Sequence, residues 1–499
     1  MGAKDSLSLG EVRKQIHWLF FLVVILTVFR LVVAGLTPLA PDEVYYWVWS
    51  KALAFGYPDH PPMVALWIRA GTALLGDTEL GVRLLGPLAT AVGTVLLWRA
   101  AEDLLPARGA GLPAAVLANA TLLFGAGAVT MTPDTPLLLF WTLAMFGLGR
   151  LLATGRAWWW GLVGVAAGLA MASKYTAVLL APAVLVWLLA VPSLRPWLRR
   201  PAPWLGALAA LAVFAPVLGW NATHDWVSFV RQGGRVGDWR PDRALQFVGE
   251  LLGGQIGLAT PLLAVMFGAG FVVALRRART RDPGWTLLAA LLAVPSLVFL
   301  QHALGDRVQA NWPSLLYPQA AIAAAGLPGR WRRLRAPAVG LGFLLTGLVW
   351  VQAIWAPARL PVPWDITLLR LAGWEGMAQD IAAKARTEGA DYVVADNYGQ
   401  AAELAWHLPP DIPVLALDAR WHWFDLPDAI GFVAGRTGLM VRSDRLADQP
   451  RMADFDHLER IGWVDRARGG MLAERVRLYR VVGHKGVESI VFMPRPHRR

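Results

Sequence analysis

Eleven apolar runs, each long enough or nearly long enough to cross a bilayer, follow one another between residues 17 and 356, and they constrain this chain more than any other feature. They fall at 17–36, 80–101, 110–131, 135–154, 157–173, 175–192, 203–220, 246–275, 284–301, 312–328 and 336–356. Hydrocarbon offers no partner for backbone N–H and C=O groups, so spans of this kind must be helical. A hydrophobic content of 56% exceeds the roughly 45–50% of soluble domains, which agrees with surface turned to lipid. Prolines such as Pro182 and Pro295 interrupt several runs and soften their ends. The first run follows Lys4, Arg13 and Lys14, as a secretory signal would, yet it approaches spanning length and further runs follow it. A retained first helix is therefore expected.

The basic residues supply sidedness. If the N-terminus is cytoplasmic, alternate connections should be rich in Lys and Arg. Those connections hold Arg99 and Arg108; Arg150 and Arg156; Arg195, Arg199 and Arg200; Arg276, Arg277, Arg279 and Arg281; and Arg330, Arg332, Arg333 and Arg335. Much of the net charge of +12 is thus spread along one membrane face, not gathered on one domain as nucleic-acid binding would require. The other connections, 37–79, 131–134, 173–175, 221–245 and 302–311, carry acids, histidines and Gly/Pro/Asp turns, and would converge on the opposite side. The 26 tryptophans suit interfacial belts. Cysteine is absent, which excludes disulfides, Cys-ligated zinc and iron–sulfur clusters.

After about residue 357 the pattern changes. Asp391–Asp396, Pro413–Leu417, Gly438–Arg442 and Arg475–Val482 read as strands and Tyr398–His407 as a helix, predicting a small α/β domain over roughly 357–485. The final PRPHRR reads as a disordered tail. The expected division is 1–356, a membrane catalytic domain with outer loops 37–79 and 221–245, and 357–499, an extracytoplasmic domain with its tail.

The densest chemistry lies in the first outer loop, PDEVYYWVWS…GYPDHPP. Asp42 and Glu43 open an amphipathic segment whose Tyr45, Tyr46, Trp47 and Trp49 are expected at the membrane interface. Paired acids among aromatics suit activation of a hydroxyl beside a lipid. The same residues also make an ordinary helix start, with Asp after Pro and an acid in the first turn.

This loop resembles the signature of bacterial GT-C-type membrane glycosyltransferases, in particular the aminoarabinose and galacturonic acid transferases that modify lipid A, relatives of the protein O-mannosyltransferases. Further similar strings follow in order: MTPDTPLLLFW at Met131–Trp141, ASKYTAVLLAPA at Ala172–Ala183, VQANWPSLLYP at Val308–Pro318 and DNYGQAAELAWHL at Asp396–Leu408. The resemblance implies a polytopic α-helical membrane protein of about 11 transmembrane helices, N-in/C-out and GT-C type, with a small C-terminal α/β periplasmic domain. It also implies transfer of a sugar, with inversion, from a polyprenyl-phosphate donor to a lipid, glycan or protein hydroxyl. Asp42 takes the position of the general base, with Glu43 as a second acid and Asp134 positioning acceptor or donor.

The departing phosphate needs cations. Lys174, Arg235 and Arg307 are the candidates, with His60, Tyr45 and Tyr175 completing the donor side. Each has a plainer reading: snorkelling for Lys174, headgroup contact for Arg235, and a turn brace for His60, which stands where the aminoarabinose transferases carry Glu-Lys. Asp134 and Asn311 could simply cap helices. Arg30, inside the first run, is expected to pair with an acid or snorkel. No cofactor is expected; Asp59, His60, His224 and His302 leave a divalent metal open without forming a ligand motif. The expected setting is the bacterial inner membrane, as a monomer among membrane lipids, with the site facing the periplasm. The competing class is a transporter or lipid flippase, against which the ionisable residues gather at one face and no matching pair of broken segments is seen.

Overall fold

The computed structural model describes residues 9–106, 108–233, 239–446, 454–486 and 488–497. The chain forms two compact units, one of Met1–Val33, Asp59–Val64 and Leu84–Leu348, the other of Ala34–Pro58, Ala65–Arg83 and Val349–Arg499. The boundary therefore falls at 348/349, not 356/357. Most of residues 37–79 belong with the C-terminal residues, because the aromatic side chains of 45–57 are buried against them.

Among the described residues, seven helices are long and apolar enough to span: Arg13–Leu36, Glu79–Leu104, Asp134–Thr154, Pro201–Ala222, Pro261–Ala278, Pro283–Ala303 and Trp331–Ile354. An eighth is reached if Tyr175–Ala190 and Pro192–Arg199, bent by 119°, count as one. The difference from eleven runs has local causes. The 110–131 run breaks into Gly111–Asn119 and Leu122–Gly125, where the Thr121 hydroxyl accepts from the Phe124 N–H and starts a new helix. The 312–328 run becomes a 3-10 turn, Trp312–Leu316, and a short helix, Tyr317–Ala325. The 246–275 run is two helices, Pro241–Ala259 and Pro261–Ala278, split at Thr260, whose φ of 75° ends the first helix ahead of Pro261.

Small residues let the helices of the first unit approach closely, as packing within lipid requires. A Cβ on Gly164 would lie 2.0 Å from the Gly206 carbonyl oxygen, and one on Gly342 would lie 2.0 Å from that of Ala120. Two buried polar side chains pair across the helices: Trp141 Nε1 donates to Gln319 Oε1 at 3.1 Å, and Gln319 Nε2 donates to the Leu291 carbonyl at 3.0 Å. Arg30 neither snorkels nor meets an acid. It is buried and donates to Asn119 Oδ1 (2.8 Å) and the Phe124 carbonyl (2.7 Å).

The second unit is built on a six-stranded mixed sheet: β1 (Tyr392–Ala395), β2 (Val414–Leu417), β3 (Thr437–Ser443), β4 (His457–Arg468), β5 (Met471–Val482) and β6 (Ile490–Phe492), in the order β4-β5-β3-β1-β2-β6. β1 runs parallel to β2 and β3, whereas β6, β5 and β4 join antiparallel. The β4–β5 hairpin turns at Gly469 (φ 56°) and Gly470 (φ 79°), left-handed positions that favour glycine. Residues 494–497 are tied down, contrary to the expected loose tail. Arg495 donates to the Pro409 carbonyl at 2.8 Å, and the His497 N–H donates to Asp77 Oδ2 at 2.9 Å.

Candidate active site

Asp42 lies in the first turn of the helix Pro41–Lys51, which Pro41 starts without needing an N–H. Here the two neighbouring acids separate. Glu43 turns inward and is 1% exposed. Its Oε1 accepts from Arg83 Nε (2.7 Å), and its Oε2 accepts from Arg83 Nη2 (2.6 Å) and the Ala40 N–H (2.9 Å). Arg83 also donates to the Thr37 and Pro38 carbonyls. Glu43 is therefore a buried anchor that fixes the entry to this helix, not a second acid open to substrate.

Asp42 points the other way, its side chain 38% exposed, and forms an ion pair with Arg370. Tyr398 donates its hydroxyl to Asp42 Oδ1 at 3.4 Å, a long contact. Beneath them lie aromatic rings. Tyr45 packs on Tyr398 at 4.5 Å, Trp49 at 5.1 Å and Trp421 at 5.8 Å, while Trp49 stacks on Tyr57 at 4.1 Å. These rings, expected at a membrane interface, are buried inside the unit: Tyr45 is 2% exposed, and Trp47 and Trp49 are fully enclosed. Arg420 lies over the Tyr398 ring at 4.2 Å, and its Nη1 donates to the Tyr45 hydroxyl at 3.3 Å.

Local structure places each of these groups. The Asn397 side chain accepts from the Gly399 and Gln400 N–H groups and starts the helix Tyr398–His407, so Tyr398 stands in its first turn. A Cβ on Gly399 would lie 3.2 Å from Pro41 Cβ, so glycine brings that helix start close to Asp42. Arg370 ends the short helix Ile366–Arg370, which Asp365 caps by accepting from Leu368 N–H (3.1 Å) and the Thr367 hydroxyl (2.6 Å). Arg466 and Arg468 of β4 hold the segment. Buried Arg466 donates to the carbonyls of Leu368, Leu369 and Ala372, and Arg468 Nη2 donates to Asp365 Oδ2 at 2.7 Å. Burial alone would raise the Asp365 carboxyl, but hydrogen bonds from Thr367, Gln352 and the Leu368 N–H and the Arg468 charge hold it below the usual range. Asp77 is depressed in the same way: burial opposes, while Lys51, Trp47 and the His497 N–H outweigh it.

In the first unit, Asp134 and Lys174 meet. Lys174 Nζ donates to both carboxylate oxygens, at 2.8 and 2.9 Å, and Asn311 Nδ2 (2.7 Å) and Ser314 Oγ (2.6 Å) donate to the same group. Neither Asp134 nor Asn311 uses its side chain as a helix cap, and Lys174, 5% exposed, does not snorkel. The cluster joins three separate stretches of chain at one carboxylate.

The remaining expected donor residues disperse. Arg307 pairs with Glu250 at 2.8 Å on an exposed surface. His60 is half-buried in the Pro58–Pro62 turn, beside Asp59, which pairs with Arg231 at 3.0 Å. Tyr175 packs its ring on Phe229 at 5.0 Å. Arg235 lies outside the described residues. Among the described residues no group of three or more His, Asp or Glu side chains could hold a metal ion.

Sequence reading missed Arg370, Arg420 and Tyr398. Tyr398 sat in the string DNYGQAAELAWHL and was legible there as a helix-start residue. Arg370 carries no local signal, because Asp42 is 328 residues away, and neither does the contact of Arg420 with Tyr45, 375 residues away.

Residues 59–220 match the family model for dolichyl-phosphate-mannose-protein mannosyltransferase. The lipid A galacturonosyltransferase RgtD of Rhizobium johnstonii is 29% identical over 392 residues, covering 74% of this chain and 77% of that one. Two crystal structures of ArnT from Cupriavidus metallidurans share the fold, each match covering 93% of this chain and 98% of that one. The undecaprenyl phosphate complex aligns with a TM-score of 0.58 at 16% identity, and the apo form with 0.60 at 15%.

Proposed function

We propose that the chain is a multi-pass membrane glycosyltransferase of the GT-C type that moves a sugar from a polyprenyl phosphate to a hydroxyl of a lipid A-type glycolipid, acting as a monomer at the periplasmic face of a bacterial inner membrane. The observation that carries the chemistry is the contrast between adjacent acids: Glu43 is buried and spent on Arg83, while Asp42 is half-exposed over an aromatic floor. In this reading the acceptor hydroxyl oxygen attacks the anomeric carbon and the bond from that carbon to the phosphate oxygen breaks. Polyprenyl phosphate leaves with the bonding pair, and the hydroxyl proton passes to the Asp42 carboxylate. A single displacement inverts the anomeric configuration. Positioned base catalysis is worth about 10²–10⁴-fold. The RgtD likeness favours a lipid A acceptor, and the complex of ArnT with undecaprenyl phosphate favours the carrier. The proposed reaction uses no resident metal, so transfer is expected to survive chelation.

The test is transfer by purified protein in nanodiscs, with polyprenyl-phosphate sugars offered against lipid A. Asp42→Asn is expected to lose about 10²-fold or more while melting like wild type. Undiminished transfer by that variant would remove Asp42 as the base. No product across a broad donor panel would overturn the enzyme's proposed substrates.

A further inference from the structure

Arg370 is held by unusual means for a surface side chain. Its backbone lies in a segment whose carbonyls at Leu368, Leu369 and Ala372 are gripped by one buried guanidinium, Arg466, and whose capping Asp365 is gripped by another, Arg468. The head of Arg370 nevertheless remains 47% exposed, against a carboxylate 38% exposed. A rigid base under a solvent-reachable guanidinium is the arrangement of a preorganised recognition group. It is more than a stabilising ion pair needs, since exposed pairs contribute only about 0–1 kcal/mol.

A guanidinium has five donors in a planar fork that matches carboxylate or phosphate. Resting on Asp42, it occupies lone pairs that the acceptor hydroxyl would use. The weak exposed pair is easily exchanged for a substrate anion, which frees the carboxylate at the moment substrate is present. Arg420, paired with Asp418 at 3.5 Å, sits over the Tyr398 ring at 4.2 Å, so guanidinium groups from two elements border that ring. A ring-faced sugar with one anionic oxygen group fits this chemistry better than a neutral hexose does.

Resting on the reading of Asp42 as the base, we propose that Arg370 is a positioning residue that reads an anionic oxygen group on a substrate sugar, a uronate carboxylate or a sugar phosphate, and in doing so releases Asp42 to the acceptor hydroxyl. The recognition site is then the half-exposed ring of Tyr398, backed by buried Tyr45 and bordered by Arg370 and Arg420.

The experiment compares wild type, Arg370→Ala and Arg370→Lys in nanodiscs. A hexuronosyl and the matching hexosyl polyprenyl phosphate are each offered against lipid A with and without its phosphates. Loss of a charge-assisted contact predicts a KM about ten- to a hundredfold higher for Arg370→Ala. That loss should appear only where the carboxylate, or only where the acceptor phosphate, is present, and Arg370→Lys should restore part of it. Loss following the donor carboxylate names the uronate as the anion, and loss following the acceptor phosphate names the phosphate. Equal loss across all four substrate pairs would overturn the proposal, because the polyprenyl phosphate is common to all of them and a mere brace would also act alike. A fall in kcat or melting temperature with KM unchanged would overturn it too. Absence of transfer by the wild type would remove the parent reading along with it, which separates the two failures.

Discussion

Removing one charge from the Asp134 cluster should damage stability far more than removing both. The Asp134 carboxylate accepts from Lys174 at 2.8 and 2.9 Å, Asn311 at 2.7 Å and Ser314 at 2.6 Å, and the Asp134 and Lys174 residues are only 6% and 5% exposed. Lys174→Met would leave a buried carboxylate with two neutral donors. Breaking a buried pair from one side costs about 3–5 kcal/mol, because the surviving charge stays desolvated. Asp134→Leu would strand the ammonium at a similar cost. The double variant leaves no charge behind, and replacing a whole pair by apolar groups is often close to neutral. The double-mutant cycle should therefore be strongly non-additive, with the double variant more stable than either single one. Thermal melting and inactivation half-life in detergent would read this, with donor KM measured in parallel. The refuting result is Lys174→Met melting like wild type while its donor KM rises. The ammonium would then serve the donor, and its pairing with Asp134 would contribute little.

Two further outcomes follow from the same kind of reasoning. Asp365→Asn should lower stability at neutral pH by about 2 kcal/mol, the worth of its hydrogen bonds to a charged partner. Since the folded carboxyl sits below its ordinary 3.8, its contribution is present above that value and lost as pH falls through the lower folded one. Acid melts of wild type and variant should therefore converge at low pH, and a pH-independent gap would refute the ion-pair account. Gly164→Val should force apart the helices Trp159–Met171 and Pro201–Ala222, where even a Cβ would meet the Gly206 carbonyl oxygen at 2.0 Å. A loss of about 1–3 kcal/mol is expected from overpacking, and unchanged melting would show that the contact relaxes freely.

The sequence made legible those features whose causes are local. Apolar runs marked most spans, and β-branched or apolar runs marked β1, β2, β3 and much of β5. The helix Tyr398–His407 was read to the residue, because Asn397 and the polar-apolar pattern carry it. Helix count was less legible, since a run such as 110–131 stays apolar through the break that the Thr121 hydroxyl imposes. β4 was missed because half of HLERIGWVDRAR is charged or polar and, among the described residues, it stands at the sheet edge beside β5. Its signal was the Gly469-Gly470 pair between two strand-like stretches, which a hairpin search would have flagged. Asp42 was legible as a candidate, but the fates of two adjacent acids were not. Adjacent positions on a helix point about 100° apart, and which one meets Arg83 depends on chain 40 residues away.

The same non-locality explains what the C-terminal sheet is for. Asp42 comes from the segment after the first long helix, yet the side chains that touch it, Arg370 and Tyr398, are 328 and 356 residues distant. A side chain as long as arginine loses about 2 kcal/mol of rotamer entropy if it must be ordered, so holding its backbone in advance is a large share of positioning it. The β4–β5 hairpin does this by projecting Arg466 and Arg468 onto the segment that ends in Arg370, and the helix Tyr398–His407, following β1, sets Tyr398 in the same way. Any single cut of the chain between the membrane helices and the sheet would thus separate Asp42 from both partners. Lipid-crossing pattern reports where a chain must be helical, and it is silent about which distant polar residues a loop has been folded to meet.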